Sequence, residues 1–166
     1  MTTHVDHEPE AADIVTEPLP NALDPNNFTP RLLALVSNSL VRQESSRLRE
    51  EFGLGTNDWR VISAVATRPG SSATEVSEFL SLNKALISGS VSGLVARQLI
   101  VLRDGPRGSR PMYLTRAGAE MHDAMLPISL RGQDIILQGL APEVVKGLNL
   151  LLQDMLDRLN AAEKDS

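Results

Sequence analysis

SATEVSEFLSLNKALISGSVSGLVARQ, residues 72–98, is the stretch that decides the fold of this 166-residue chain. Ser72 and Glu75 have the spacing of a capping box, in which the serine side chain and the glutamate satisfy each other's backbone amides at a helix start. The helix opened there is short, reaching about Leu80. Ser81-Leu82-Asn83 interrupts it, and Asn83 is placed to cap a second helix that runs to about Gln98. About two turns of helix, a three-residue turn and about four further turns make a helix-turn-helix.

The second of these helices has two unlike faces. Ile87, Val91, Leu94 and Val95 recur at helical spacing and form the side expected to be buried. Opposite them stand Lys84, Ala85, Ser88, Gly89 and Ser92, all small or polar apart from the lysine. Gly89, with Gly93 nearby, costs on the order of 1 kcal/mol relative to alanine in a helix interior. A helix pressed into a groove benefits from such small residues, and the DNA major groove, about 12 Å wide, admits a helix. Ser88 and Ser92 are candidates for base-edge or phosphate contacts. Asn83 and Lys84 sit at the helix N-terminus, where phosphate is favoured. Packing of the small face against another protein helix is the competing reading.

LIVLR (99–103) and MYL (112–114) are short β-favouring runs around a loop rich in Gly, Pro and Arg, and read as a two-stranded hairpin. Upstream, Thr29-Pro30 has the form of an N-cap followed by a first-turn proline. Leu32, Leu33, Leu35, Val36, Leu40, Leu48 and Phe52 sustain a long helix that Gly53 and Gly55 stop. Thr56 precedes a helix with Trp59, Ile62, Val65 and Ala66 on one face. Beyond the hairpin, Thr115 caps a long helix with Pro127 as its expected kink, and Pro142 starts a last one. In that last helix Val144, Val145, Leu148, Leu151, Leu152, Met155, Leu156 and Leu159 form a wide apolar stripe. Burial of the first and last helices against a second copy of the chain is expected, since homodimers are the commonest oligomers; packing on each other within one chain is the alternative.

The net charge of −5 hides an uneven distribution. Residues 1–30 carry six acidic residues and no Lys or Arg, whereas the remaining 15 acidic residues face all 16 basic ones. Between 83 and 116, Lys84, Arg97, Arg103, Arg107, Arg110 and Arg116 are opposed by Asp104 alone. Such a field attracts polyanions whatever the total charge, although a solvated basic surface has the same composition. Residues 1–28 read as a flexible acidic tail. His4, Asp6, His7 and Glu8 in that tail are weak metal candidates, and no metal or cofactor is expected. The chain has no cysteine, which excludes disulfides, thiolate metal sites and cysteine nucleophiles. No phosphate-binding glycine loop, catalytic triad order or carboxylate pair indicates an enzyme, and His122, inside a helix, reads as structural or exposed. No apolar run approaches the roughly 20 residues of a membrane span, and MTTHVDHEPEAAD (1–13) lacks the regions of a signal peptide. A cytoplasmic protein without membrane contact is the expectation.

EFGLGTNDWRVISAVATRPG (51–70), SATEVSEFLSLNKALISGSVSGLVARQLIVLRD (72–104) and YLTRAGAEM (113–121), in this order and spacing, resemble the MarR family of winged helix-turn-helix transcription regulators. The resemblance spans roughly residues 29–162. It implies a mainly α fold with a small β-hairpin wing. The parts would be an acidic tail (1–28), an N-terminal dimerisation helix (29–55), a winged helix-turn-helix that binds double-stranded DNA (56–114) and C-terminal dimerisation helices (115–166). It further implies a homodimer on a pseudo-palindromic operator, with the helix from Asn83 in the major groove and the wing in the adjacent minor groove. Such regulators are mostly repressors, and many release DNA on binding a small aromatic or phenolic effector.

Two departures bear on specificity. Where the family often has Asp-Lys-Ser-Thr-Val-Ser-Arg, this chain has Asn83-Lys84-Ala85-Leu86-Ile87-Ser88-Gly89, so the arginine suited to bidentate guanine contact is gone. The family's Asp-x-Arg at the wing tip is replaced by Pro-Arg-Gly-Ser-Arg, which assigns the wing role to Arg110 first and Arg107 second. The missing arginine also supports an alternative function, a winged-helix protein–protein adaptor that does not read bases.

Overall fold

The computed structural model describes residues 14–164, in two compact units that divide after Asn38. His4, Asp6, His7 and Glu8 lie outside the described residues, as does the first half of the acidic tail. Residues 14–28 have turns but no helix or strand. The first helix, α1 (Thr29–Phe52), crosses the unit boundary. It begins one residue earlier than the proline signal suggested: Phe28 supplies the first carbonyl, accepting from Leu32 N at 3.2 Å. Thr29 therefore stands inside the helix rather than at its cap.

In the second unit, α2 (Thr56–Thr67), α3 (Ala73–Leu80) and α4 (Lys84–Ala96) precede the strands β1 (Ile100–Leu102) and β2 (Met112–Leu114). Two long helices follow, α5 (Arg116–Leu137) and α6 (Pro142–Lys164). α2 is the hub, packed against α3, α4, α5 and β2. This explains why it buries Val61 and Ala64 besides the expected Trp59, Ile62 and Val65, while Ala66 is only partly buried. Leu48, Val76, Ile87, Leu94, Ile100, Met112 and Met125 close the core around it. His122 is structural: its ring stacks on Trp59 with centroids 5.3 Å apart, and its Nδ1 lies 3.0 Å from Asp123 Oδ1.

The helix ends follow from local chemistry. Ser72 Oγ accepts from Glu75 N at 3.3 Å, and the Glu75 carboxylate accepts from Ser72 N at 2.7 Å, which completes the capping box. Asn83 Oδ1 accepts from Ala85 N at 2.7 Å to start α4. α4 ends at Ala96, short of Gln98, because Gln98 takes a left-handed conformation with φ 59°. There Leu99 N bonds Leu94 O and Gln98 N bonds Val95 O, the paired closure of a Schellman motif. α5 passes through Pro127 as one helix.

The hairpin pairs Ile100 with Leu114, Val101 with Tyr113 and Leu102 with Met112, antiparallel. Gly70 N donates to Met112 O and Met112 N to Ser71 O, so the loop between α2 and α3 holds β2 from its other side. The start of α5 is fastened just as tightly. Thr115 N donates to Leu99 O, its hydroxyl donates to Gln98 O, and its Oγ1 accepts from Gly118 N. A Cβ on Gly118 would run into the Leu99 carbonyl oxygen and lie 3.0 Å from its carbonyl carbon, so only glycine fits.

The terminal regions differ from this core. Leu32, Leu33, Leu35 and Val36 are exposed on the N-terminal unit. α6 has no buried residue among those described, and Val144, Leu148, Leu151, Leu156 and Leu159 are all exposed. No single described helix is long and apolar enough to cross a membrane.

Candidate nucleic-acid interface

α4 buries Ile87, Val91 and Leu94 and presents Lys84, Ala85, Ser88, Gly89 and Ser92 outward, as the sequence predicts; Val95 is only partly buried. Its two glycines stand in open space. A Cβ at Gly89 or Gly93 would meet nothing within 4 Å. Their cost, on the order of 1 kcal/mol each, is therefore not offset by any close approach among the described residues.

A cleft of about 480 Å³ separates α4 from the wing. Ser72 and Thr74 from the start of α3, Ser88 and Ser92 from α4, and Ser109 and Arg110 from the wing loop all line it. The fold thus brings Ser88, Ser92 and Arg110 together, while Asn83, Lys84 and Arg107 lie outside the cleft. Ser92 Oγ donates to the Ser88 carbonyl at 2.9 Å, and the Asn83 side-chain oxygen is held by the cap. The Asn83 amide hydrogens and the Ser88 hydroxyl have no protein partner among the described residues.

The wing tip is a short 3-10 turn, Pro106–Gly108, closed by Ser109 N donating to Pro106 O at 3.1 Å. Pairing continues below it through Arg103 N to Pro111 O and Gly105 N to Ser109 O. Arg107 itself adopts the left-handed conformation, φ 56° and ψ 29°. A non-glycine residue there carries roughly 1–2 kcal/mol of strain. Gly108 beside it also has a positive φ, 75°.

The basic residues between 83 and 116 divide into two groups. Arg97 is structural, donating from Nη1 to Gly53 O and from Nη2 to Phe52 O, both at 3.0 Å, which satisfies the end of α1. Arg116 pairs with Glu120 along α5. Among the described residues, no ion pair or side-chain hydrogen bond engages Lys84, Arg103, Arg107 or Arg110, and all four are exposed. Nearby, Glu75 has its pKa lowered by the bond from the Ser72 backbone and then by the Ser72 hydroxyl, so its charge serves the helix start.

Sequence reasoning missed Ser72, Thr74 and Ser109 as cleft residues. Their only visible signals were a cap and a turn, and the cleft arises from contacts between distant segments. No group of three or more His, Cys, Asp or Glu among the described residues is arranged to hold a metal.

Residues 52–111 match the model of the MarR family. No curated protein sequence matches the chain. Solved structures match the fold at low identity. A MarR/EmrR family transcriptional regulator from Acinetobacter sp. ADP1 is 20% identical with a TM-score of 0.77, over 84% of this chain and 99% of that one. CouR from Rhodococcus jostii RHA1, solved bound to p-coumaroyl-CoA, is 18% identical with a TM-score of 0.71, over 81% and 95%. Bordetella bronchiseptica BpsR, whose DNA binding is regulated by 6-hydroxynicotinic acid, is 20% identical with a TM-score of 0.68, over 82% and 99%. Residues 52–111 thus match the MarR family model, and most of the chain shares the winged helix-turn-helix fold of these MarR-family structures.

Proposed function

We propose that this chain is a non-enzymatic transcription regulator that binds double-stranded DNA as a homodimer, with α4 in the major groove and the wing toward the adjacent minor groove. The observation that carries this reading is the bare outer face of α4, with Gly89 and Gly93 in open space beside Arg103, Arg107 and Arg110, whose charges have no acidic partner among the described residues. Small residues admit the duplex, and exposed guanidinium groups meet phosphates or the minor groove. Arg110, on the cleft, takes the wing role first and Arg107 second; Asn83 and Lys84 hold phosphate at the start of α4. Ser88 and Ser92 contact the duplex inside the cleft.

Dimerisation is supported by the exposed leucines and valines of α6, since large apolar patches mark interfaces. Residues 29–55 and 115–166 would provide the contact. A repressor role answering to a small aromatic effector rests on the neighbours solved with p-coumaroyl-CoA or regulated by 6-hydroxynicotinic acid. The adaptor reading draws on the absent arginine at Gly89.

Selection of bound fragments from a genomic duplex library, followed by footprinting, tests the proposal. The expected result is a pseudo-palindrome with half-sites about one helical turn apart, bound less tightly as salt rises. Equal affinity for every duplex at all salt concentrations would favour the adaptor.

A further inference from the structure

We infer that α4 reads thymine C5-methyl groups through Leu86, so that the preferred duplex carries A·T pairs under this helix. The inference rests on the DNA-binding reading above and names what that site selects. Leu86 is 51% exposed, although it lies on the helix that supplies three core residues. Leu86, Gly89 and Gly93 follow at i, i+3 and i+7 and share one stripe of α4. At neither glycine position would a Cβ meet another part of the described chain within 4 Å, so the leucine borders open space.

A single exposed leucine is ordinary on a protein surface. This one is set apart by its company, because the polar groups beside it are partly engaged within the helix and no arginine stands among them. The Asn83 side-chain oxygen caps the helix, and Ser92 Oγ bonds back to the Ser88 carbonyl. Gly89 removes the arginine that would grip guanine, and Lys84 offers a single ammonium group without bidentate geometry. Of the features that distinguish base pairs in the major groove, the one an apolar side chain can sense is the thymine methyl. The exposed cations at Lys84, Arg103, Arg107 and Arg110 supply the charge complementarity that brings a duplex to this face.

The test uses the full chain and duplexes recovered by selection from a random pool. Each thymine in the protected half-sites is replaced in turn by deoxyuridine, which removes one methyl and keeps the pairing. Affinities are read by fluorescence anisotropy for the parent, Leu86→Ala and Leu86→Met. The parent should lose about fourfold at one or two thymines in each half-site, as burial of one methyl-sized group implies. Leu86→Ala should bind the unmodified duplex about as weakly as the parent binds the uridine duplex, and should be indifferent to uridine there. Leu86→Met should keep the sensitivity, and all three should share one salt slope, since phosphate contacts are untouched. If the parent prefers the selected duplex yet ignores every uridine, or if Leu86→Ala keeps the sensitivity, methyl readout is overturned while DNA binding stands. If no duplex is bound in a salt-dependent way, the DNA-binding reading fails and takes this one with it.

Discussion

Gly118 and Gly89 are both helical glycines, and only one of them has a neighbour. At Gly118 the Leu99 backbone occupies the space a side chain would need, so the residue is dictated by the fold. At Gly89 nothing among the described residues lies within reach, and the fold would accept alanine. The first glycine closes the joint between α4, the wing and α5. The second weakens a helix with no return among the described residues, as a surface left bare for an outside partner would. The same contrast runs through the arginines. Arg97 is spent on the last carbonyls of α1, whereas Arg103, Arg107 and Arg110 project from the surface without acidic partners among the described residues.

The sharpest way to break this contrast is Gly118→Ala. With backbone on the other side of the clash, relief requires movement of β1 or α5, and the variant should lose about 3 kcal/mol of stability. Urea unfolding measures this, and a change below about 0.5 kcal/mol would remove the distinction between the two glycines. Arg110→Ala should leave stability nearly unchanged while weakening operator binding about tenfold, within the range of a charge-assisted hydrogen bond. If Arg110 meets a phosphate, the log–log salt slope should also fall by about 0.9. Lys84→Ala should produce a smaller loss, equal for selected and random duplexes, as a phosphate contact implies. Anisotropy titrations over a salt series separate the two. Affinities unchanged for both variants would withdraw these roles.

The smallest expected effect concerns the capping box beside the cleft. Hydrogen bonds from Ser72 lower the Glu75 pKa in the folded state. Its stabilising contribution is therefore complete above the unfolded-state value and is lost as pH falls through the folded one. The melting temperatures of the parent and Glu75→Ala should differ slightly at neutral pH and converge in acid. A difference that persists at the lowest pH where both variants still fold would point to packing instead.

What could be read in the sequence was local. The Ser72–Glu75 box, the Asn83 and Thr115 caps, the three-residue turn and both strands lie where residue spacing placed them, because each depends on neighbours within a few positions. The outward face of α4 was legible for the same reason. What escaped depends on distant partners. The tie from Arg97 to Phe52 and Gly53 spans more than forty residues of chain. The second buried face of α2 exists only because four elements surround it. The serines and threonine of the cleft acquire a common role only when α3, α4 and the wing meet. Arg107 in a left-handed turn runs against its residue type, so residue preference alone does not place it there.

The most direct test of the account is Gly89→Ala, followed in two assays on the same preparation. Thermal or urea unfolding reports the helix, and anisotropy on the selected duplex reports the approach to it. If the outer face of α4 is kept bare for DNA, the variant should gain about 1 kcal/mol of stability and lose affinity for the duplex by about tenfold or more. A variant that gains the stability and binds the duplex as tightly as the parent would contradict the central claim.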